Sequence, residues 1–325
     1  MAISEINDKS LAASAVTATK LAASAVDLTS NKVTGILPAA NVPAEFKNVN
    51  NNILINGNFD VWQRSTSFTE TGGAAWQYAS ADRWAHHNDG ADAGVFARDT
   101  TVPNANSRYS MKLTGAANIS GSNLNSRLEY MDTAPLRKAN ALTVSGWVRA
   151  STAGTVVNLL MLCPNAIDAF GWPYNSFSLS TSTTISGNGT SSAAQLTLTT
   201  ANTWYYFTAT HNNPNSLTNA NGSFSNGFSL QLSIGVLNAS SKTFNITQLK
   251  VEAGLVATEF VPKTYEQELA LCQRYYEKSY DQGDAPGTDT HYGAVKIGGN
   301  RETLTSSYIS GGGNTFKVTK RARPT

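Results

Sequence analysis

The sequence predicts a mainly β protein: a jelly-roll β-sandwich behind an N-terminal fibrous, trimerising shaft, with one short helix and a small C-terminal β segment. Three observations predict it. Apolar and polar residues alternate in several segments of the middle of the chain, large apolar residues recur every five positions near the N-terminus, and one capped amphipathic stretch follows the last strand candidate. At 325 residues the chain is long enough for two or three modules.

Residues 1–50 form the shaft or docking segment. Leu11-Ala12-Ala13-Ser14-Ala15-Val16 returns unchanged as Leu21-Ala22-Ala23-Ser24-Ala25-Val26, and Ile6, Leu11, Val16, Leu21 and Val26 mark a five-residue period. Five residues turn an α-helix by about 500°, so successive anchors land roughly 140° apart and no stripe forms. In a flat strand the odd spacing flips them to opposite faces. The anchors therefore need a turn in every repeat, or several chains wound about one axis with these five residues facing it. Counting alanine, Leu11, Ala15, Ala18, Ala22 and Ala25 fit instead the seam of a thin coiled coil. Thr17, Thr19 and Val16 weaken that helix. Both readings require partner chains, because one such segment buries too little to offset an ordering entropy of roughly 1–2 kcal/mol per residue. The remaining alternative is a disordered leader. Gly35, Pro38 and Pro43 end regular structure, and the Asn-rich stretch 48–52 reads as a linker.

Residues 51–262 carry the sandwich. Phe228, Leu230, Leu232, Ile234 and Val236 alternate with Ser229, Gln231, Ser233 and Gly235, one face dry and one wet. Tyr109, Met111 and Leu113 alternate likewise, as do Leu142, Val144 and Val148. Phe244 and Ile246 share one parity and Leu249 and Val251 the other, which places a bulge near Thr247. Val156–Cys163 is apolar on both faces and needs cover from a loop or a neighbouring subunit. Antiparallel strands joined by Asn/Gly/Ser turns, with no helices between them, argue for a jelly roll.

Residues 263–280 read as one helix, about Tyr265 to Ser279. Thr264 and Gln267 form a capping box, and Tyr265, Leu269, Cys272 and Tyr276 lie on one face. Residues 281–325 begin a small distal β-module, with Val295-Lys296-Ile297 and Phe316-Lys317-Val318 as strand candidates.

The charged fraction is 14%, well below the roughly 25% of ordinary soluble domains, and Asn, Ser, Thr and Gly supply the polarity instead. A net charge of +2 creates no field for nucleic acid or an anionic membrane. Lys317, Lys320, Arg321 and Arg323, the one basic cluster, read as a charged edge strand or exposed end. Cys163 and Cys272 read as core residues. No run reaches the roughly 18 apolar residues of a membrane span, and the first residues lack the basic and apolar regions of a secretory signal.

No catalytic residues, metal site or cofactor are predicted. His86, His87, His211 and His291 read as loop or strand-edge residues, with His86 and His87 on opposite sides of a strand. Asp60, Asp82, Asp99, Glu129 and Glu252 could serve glycoside hydrolysis only if two of them faced one cleft. Asp82, next to Arg83, reads as a loop-orienting residue. Sugar binding asks for an exposed ring beside amide or carboxylate groups. Trp76 with Tyr78, and Trp172 with Tyr174, lie in Gly/Asn-rich loop contexts and are the candidates. Trp62, Trp84 and Trp204 lie in strand contexts and read as core.

Asn52-Ile53-Leu54-Ile55-Asn56-Gly57-Asn58-Phe59-Asp60-Val61-Trp62-Gln63-Arg64, then Ala81-Asp82-Arg83-Trp84, resembles the opening of a module of tailed-phage tail-fibre proteins. Leu249 to Gly254, Thr258-Glu259-Phe260 and Glu268-Leu269-Ala270-Leu271-Cys272-Gln273-Arg274-Tyr275-Tyr276 resemble its close. The resemblance covers about residues 50–280. It implies a jelly roll similar to carbohydrate-binding modules of secreted glycosidases, in which residues placed like Asp60 and Glu252 ligate structural calcium. Ordinary turn hydrogen bonds are the competing role for both. In that family a further β-module normally follows residues like Phe316–Thr325, so the chain looks cut or short there. The expected role is a virion subunit, exposed on the particle as a tail fibre and released with it. Its expected partners are two further copies of itself, other phage tail proteins at the N-terminus and a host surface glycan or receptor. The alternatives are a head fibre or tail adaptor that binds only virion proteins, and a polysaccharide-depolymerising tailspike.

Overall fold

The computed structural model describes residues 52–70, 76–88, 94–115, 121–137, 139, 141–169, 175–178, 190–192, 195–212, 218–219, 222–235, 242–284, 286, 288 and 316–322. These belong to one compact unit, Lys47–Thr325. The five trimer-axis anchors, Trp172, Tyr174, His291 and the strand candidate at 295–297 lie outside the described residues.

Two antiparallel sheets make the sandwich. The first runs in the order β1 (Ser67–Thr69), β3 (Val95–Asp99), β4 (Ser110–Thr114), β15 (Thr243–Ala253), β6 (Ala141–Ala150), β11 (Trp204–Asn212). The second runs β2 (Trp84–Asn88), β5 (Gly121–Leu128), β14 (Phe228–Gly235), β7 (Thr155–Cys163), β10 (Gln195–Leu198), β9 (Thr190–Ser192), with β8 (Asn175–Ser178) also on β7. A separate ribbon joins β12 (Thr218–Asn219) to β13 (Gly222–Ser223). The chain changes sheet between β1 and β2, β2 and β3, β4 and β5, β5 and β6, β6 and β7, β10 and β11, β11 and β14, and β14 and β15, as a jelly roll does. Among the described residues the helices are the one-turn α1 (Ala134–Arg137) and α2 (Tyr265–Gln273), besides a 3-10 turn at Phe224–Asn226.

Period two decides which side chains meet between the sheets. Phe228, Leu230, Leu232 and Ile234 of β14 face Leu142, Val144 and Val148 of β6, together with Tyr205, Phe207 and Ala209 of β11, in one buried core. Both cysteines are buried, Cys163 within this core. The outer side of β7 is half-covered, with Val156 and Leu160 partly accessible.

The predicted bulge is present: the β15–β6 register shifts between Thr247 and Lys250. Gln248 takes a φ of 53° there, a left-handed conformation costing a non-glycine residue roughly 1–2 kcal/mol. Its amide offsets the cost by donating to Asn104 Oδ1 at 2.6 Å and Ser107 Oγ at 2.8 Å. The slip turns Leu249 and Val251 into the core. It also frees the Leu249 N–H to leave the ladder and bond Gly57 O at 2.9 Å.

Residues 52–64 lie between sandwich and helix, which explains their apolar character on both sides. Leu54, Phe59 and Trp62 enter the main core, while Ile55 and Val61 pack with Cys272, Leu269, Leu271 and Tyr275. The Thr264–Gln267 capping box is present. The helix is shorter than expected, ending at Gln273, and its buried residues are Glu268, Cys272 and Gln273; Tyr265 is 44% exposed. The Glu268 carboxylate turns inward because it accepts from Asn56 N and pairs with Lys263 at 3.6 Å.

The candidate strand at Phe316–Val318 is a bend instead. Its backbone bonds go to the helix region: Lys317 N to the Glu277 carboxylate, Arg321 N to Arg274 O. Two side chains of the basic cluster, Lys320 and Arg321, are engaged. Lys320 donates to Gln273 O, at the helix C-terminus where a cation is favoured, and Arg321 pairs with Glu129 at 3.0 Å.

Candidate functional site

The second sheet presents a polar outer face. Inward positions of β14 are apolar, so Ser229, Gln231 and Ser233 point outward, and the ladder register gives their neighbours. One row across the sheet is His87 (β2), Asn123 (β5), Ser233 (β14), Asn158 (β7) and Gln195 (β10). At the usual strand spacing it runs about 19 Å. Amide bonds knit the rows: Gln231 Nε2 to Asn123 Oδ1 at 3.1 Å, Asn125 Nδ2 to Ser229 Oγ at 3.1 Å, and Gln195 Nε2 to Asn158 Oδ1 at 2.9 Å. Asn125 Oδ1 is an acceptor with no partner among the described residues.

Trp76 stands at the head of this row. It is half-buried, its ring centroid 5.4 Å from His87 and tilted by 37°. The Trp172–Tyr174 stretch immediately precedes β8, which pairs with β7 of the same sheet. Asn123, Asn125 and Ser229 are buried, while His87, Ser233, Asn158 and Gln195 are half-buried; the accessible amide and hydroxyl groups can bond sugar hydroxyls while the ring at their margin meets a C–H face.

The other candidates fall elsewhere. Tyr78 is separated from the row and lies in a cleft of 970 Å³ with Arg127, Asp82, Tyr275 and Tyr276, the Arg127 guanidinium 5.4 Å from its ring. Trp62 and Trp84 are core as expected, but Trp204 is not. Tyr205, Phe207 and Ala209 take the inward parity of β11, which leaves Trp204 half-buried on the outer face of the first sheet, beside Tyr206 and Trp147 with rings 5.2 Å apart. Two histidines also differ from expectation. His86 is fully buried, stacked on Phe96 at 4.2 Å, and His211 is 4% exposed because it continues the inward set of β11. Burial lowers the His211 pKa. His87 does lie on the opposite side of β2 from His86.

Of the five candidate carboxylates, Asp82 and Glu129 line one cleft, paired with Arg64 and Arg321 respectively, and the other three do not line it. Asp60 accepts from Asn58 Nδ2 at 3.0 Å, Asp99 pairs with Lys112 at 3.4 Å, and Glu252 pairs with Lys250 at 3.2 Å and accepts from Thr258 N at 2.8 Å. Asp60 and Glu252 thus make the local hydrogen bonds expected of turn residues. Among the described residues no group of three or more His, Cys, Asp or Glu side chains is placed to hold a metal ion.

The residues that carry the family resemblance form a fastening. Asp82, 1% exposed, accepts from Gln63 Nε2 and pairs with Arg64 at 3.3 Å. Gln63 Nε2 also donates to Tyr276 O at 2.8 Å, Arg64 lies 3.6 Å over the Tyr276 ring, and Arg83 lies 3.5 Å over the Tyr275 ring. Gln63-Arg64, Asp82-Arg83 and Tyr275-Tyr276 therefore lock the helix end onto the sandwich. Burial pushes the Asp82 carboxyl up to about 6, against the hydrogen bonds from Gln63 and the Arg64 charge, which pull it down.

The sequence reading missed the polar row. Its signal was present in the wet face of β14, but the neighbours of that strand come from β5, more than 100 residues earlier, and β7.

No family model and no curated protein matches the chain. Solved structures do. A provisionally assigned sugar-binding protein of Bacteroides thetaiotaomicron is 14% identical, with a TM-score of 0.37, over 62% of this chain and 100% of that one. The module TmCBM61 in complex with β-1,4-galactotriose is 11% identical, with a TM-score of 0.32, over 62% and 99%. The enzymatically active domain of bacteriophage CBA120 tailspike protein 4 is 11% identical, with a TM-score of 0.35, over 61% of this chain and 23% of that one. Likenesses this weak carry no functional argument for this chain.

Proposed function

We propose that the chain is a non-enzymatic fibre subunit of a tailed bacteriophage, exposed on the virion, whose sandwich holds saccharides of the host surface against the outer face of the second sheet. The observation that carries this reading is the amide and hydroxyl row from His87 to Gln195 with Trp76 at its head. Asp82 and Glu129 line one cleft, but each is held by its own arginine, Asp82 by Arg64 and Glu129 by Arg321, and that engagement supports binding without turnover. The phage assignment rests on the resemblance of residues 50–280 to the tail-fibre module.

One stacked ring contributes about 1 kcal/mol, and three copies on one fibre multiply it. Trp76→Ala is expected to lower adsorption to host cells on the order of a hundredfold, with thermal unfolding unchanged. Normal adsorption by both Trp76→Ala and Gln231→Ala would remove the sheet face as the contact. The same incubation should release no reducing ends from host polysaccharide.

Assembly rests on the five-residue spacing of Ile6, Leu11, Val16, Leu21 and Val26, which one chain cannot bury. Sedimentation is expected to give a trimer. Leu21→Asp would set three charges near one axis and should weaken it far more than Ser24→Asp. A monomer at micromolar concentration would overturn this part of the reading.

A further inference from the structure

The cleft holding Tyr78 lies at the end of the second sheet, apart from the polar row. It is bounded by the turn before β2, the end of β5, the helix C-terminus and residues 316–322. Six cationic and four carboxylate side chains line its 970 Å³. The carboxylates are already served: Asp82 by Gln63 and Arg64, Glu129 by Arg321, Asp168 by Tyr130 N at 2.7 Å, Glu277 by Lys320.

Arg83 is different. It is only 9% exposed and has no carboxylate within ion-pair distance among the described residues. Its Nη2 donates to Arg127 O and its plane rests on Tyr275, but Nε is buried without a partner. A φ of 71° fixes it in the left-handed region at the cleft wall. Glu129 is close enough to feel the Arg83 charge, but among the described residues no carboxylate touches it; a buried guanidinium in that position gains from an anion that completes it, and a planar fork is suited to a carboxylate. The Tyr78 ring lines the same wall, half-buried, with the Arg127 guanidinium 5.4 Å from its centroid.

We infer that this cleft is a second binding site, which takes the carboxylate of an acidic saccharide against Arg83, beside Arg127, with the sugar ring at Tyr78. The inference extends the saccharide-binding reading to another place on the module and to an anionic class of sugar.

The test is calorimetric titration of the full chain with oligogalacturonate, with its neutral methyl ester, and with acetate alone. Oligogalacturonate is expected to bind at least tenfold more tightly than the ester, and to weaken as salt rises. Arg127→Gln, on a half-buried strand position, should lower its affinity about tenfold or more with the unfolding midpoint unchanged; Arg83→Lys should lower the affinity as well, together with the unfolding midpoint, because the guanidinium also rests on Tyr275. Trp76→Ala should leave it intact. Equal binding of acid and ester, or no binding of the acid at millimolar concentration, overturns the inference. So does loss of acid binding in Trp76→Ala with both arginine variants unaffected, which would leave the sheet-face reading standing. Binding of acetate as tight as the oligosaccharide would make the cleft a site for free anions and refute the saccharide.

Discussion

Gly57→Ala is expected to destabilise the fold by roughly 3–5 kcal/mol, enough to leave many domains unfolded at 37 °C. A Cβ at this position would stand 2.1 Å from Leu249 O and 3.2 Å from Asn52 Nδ2. Neither neighbour can yield cheaply. Leu249 sits in the β15 bulge, with its N–H bonded to Gly57 O at 2.9 Å and its carbonyl accepting from Asn52 Nδ2 at 3.0 Å. Moving it breaks both bonds in a buried place, at about 1–3 kcal/mol each, and disturbs a side chain that is 0% exposed. Gly283→Ala is the control, because nothing lies within 4 Å of its added methyl. The urea midpoints of the two variants should separate widely, with Gly283→Ala within about 0.5 kcal/mol of the parent. A Gly57→Ala protein that unfolds at the parent midpoint would show that residues 52–64 are not locked to β15.

The second large effect is a pH dependence set by Asp82. Its ordinary carboxyl value of 3.8 is raised to about 6 in the folded chain by burial. The folded state therefore holds a proton that the unfolded state releases between those two values. The stabilisation is fully present below about 3.8 and is lost as pH rises through about 6. For this one nearly inaccessible group it amounts to roughly 3 kcal/mol. Acidification from pH 7 to pH 4.5 should thus strengthen the fold through this site, opposite to the common case of a salt-bridged carboxylate. Asp99, held below the ordinary range by its bonds to Thr101 and its pair with Lys112, acts in the usual sense. The discriminating quantity is the difference between the parent and Asp82→Asn, which keeps the shape and removes the titration. Urea unfolding of both across pH 4.5–7.5 should show a flatter profile in Asp82→Asn. Parallel profiles would mean that Asp82 does not hold its proton in the folded chain.

The sequence by itself determined what depends on near neighbours along the chain. Alternation placed β14, β4 and β6 and the side each residue takes. The parity change from Ile246 to Leu249 located the bulge, and the three-residue spacing of Thr264 and Gln267 located the helix start. Side-chain direction in a strand or first helical turn is fixed by backbone geometry over a few residues, so these are local facts. Trp204 marks the limit of that reasoning. Trp204 to Phe207 are all aromatic, either parity could have faced inward, and only packing against β6 and the opposite sheet turned Tyr205 and Phe207 in and Trp204 out. The tertiary structure likewise decided what lies beside what. His87, Asn123, Ser233, Asn158 and Gln195 share one row only because strands from distant parts of the chain pair in one register, and a slip of one residue in any strand would turn its member of the row to the other face. Arg64 found Asp82, and Arg83 found Tyr275 but no carboxylate, for the same reason. A partner across a fold is chosen by the closing of the whole core, whose energy is spread over dozens of buried side chains, and no single segment carries that choice.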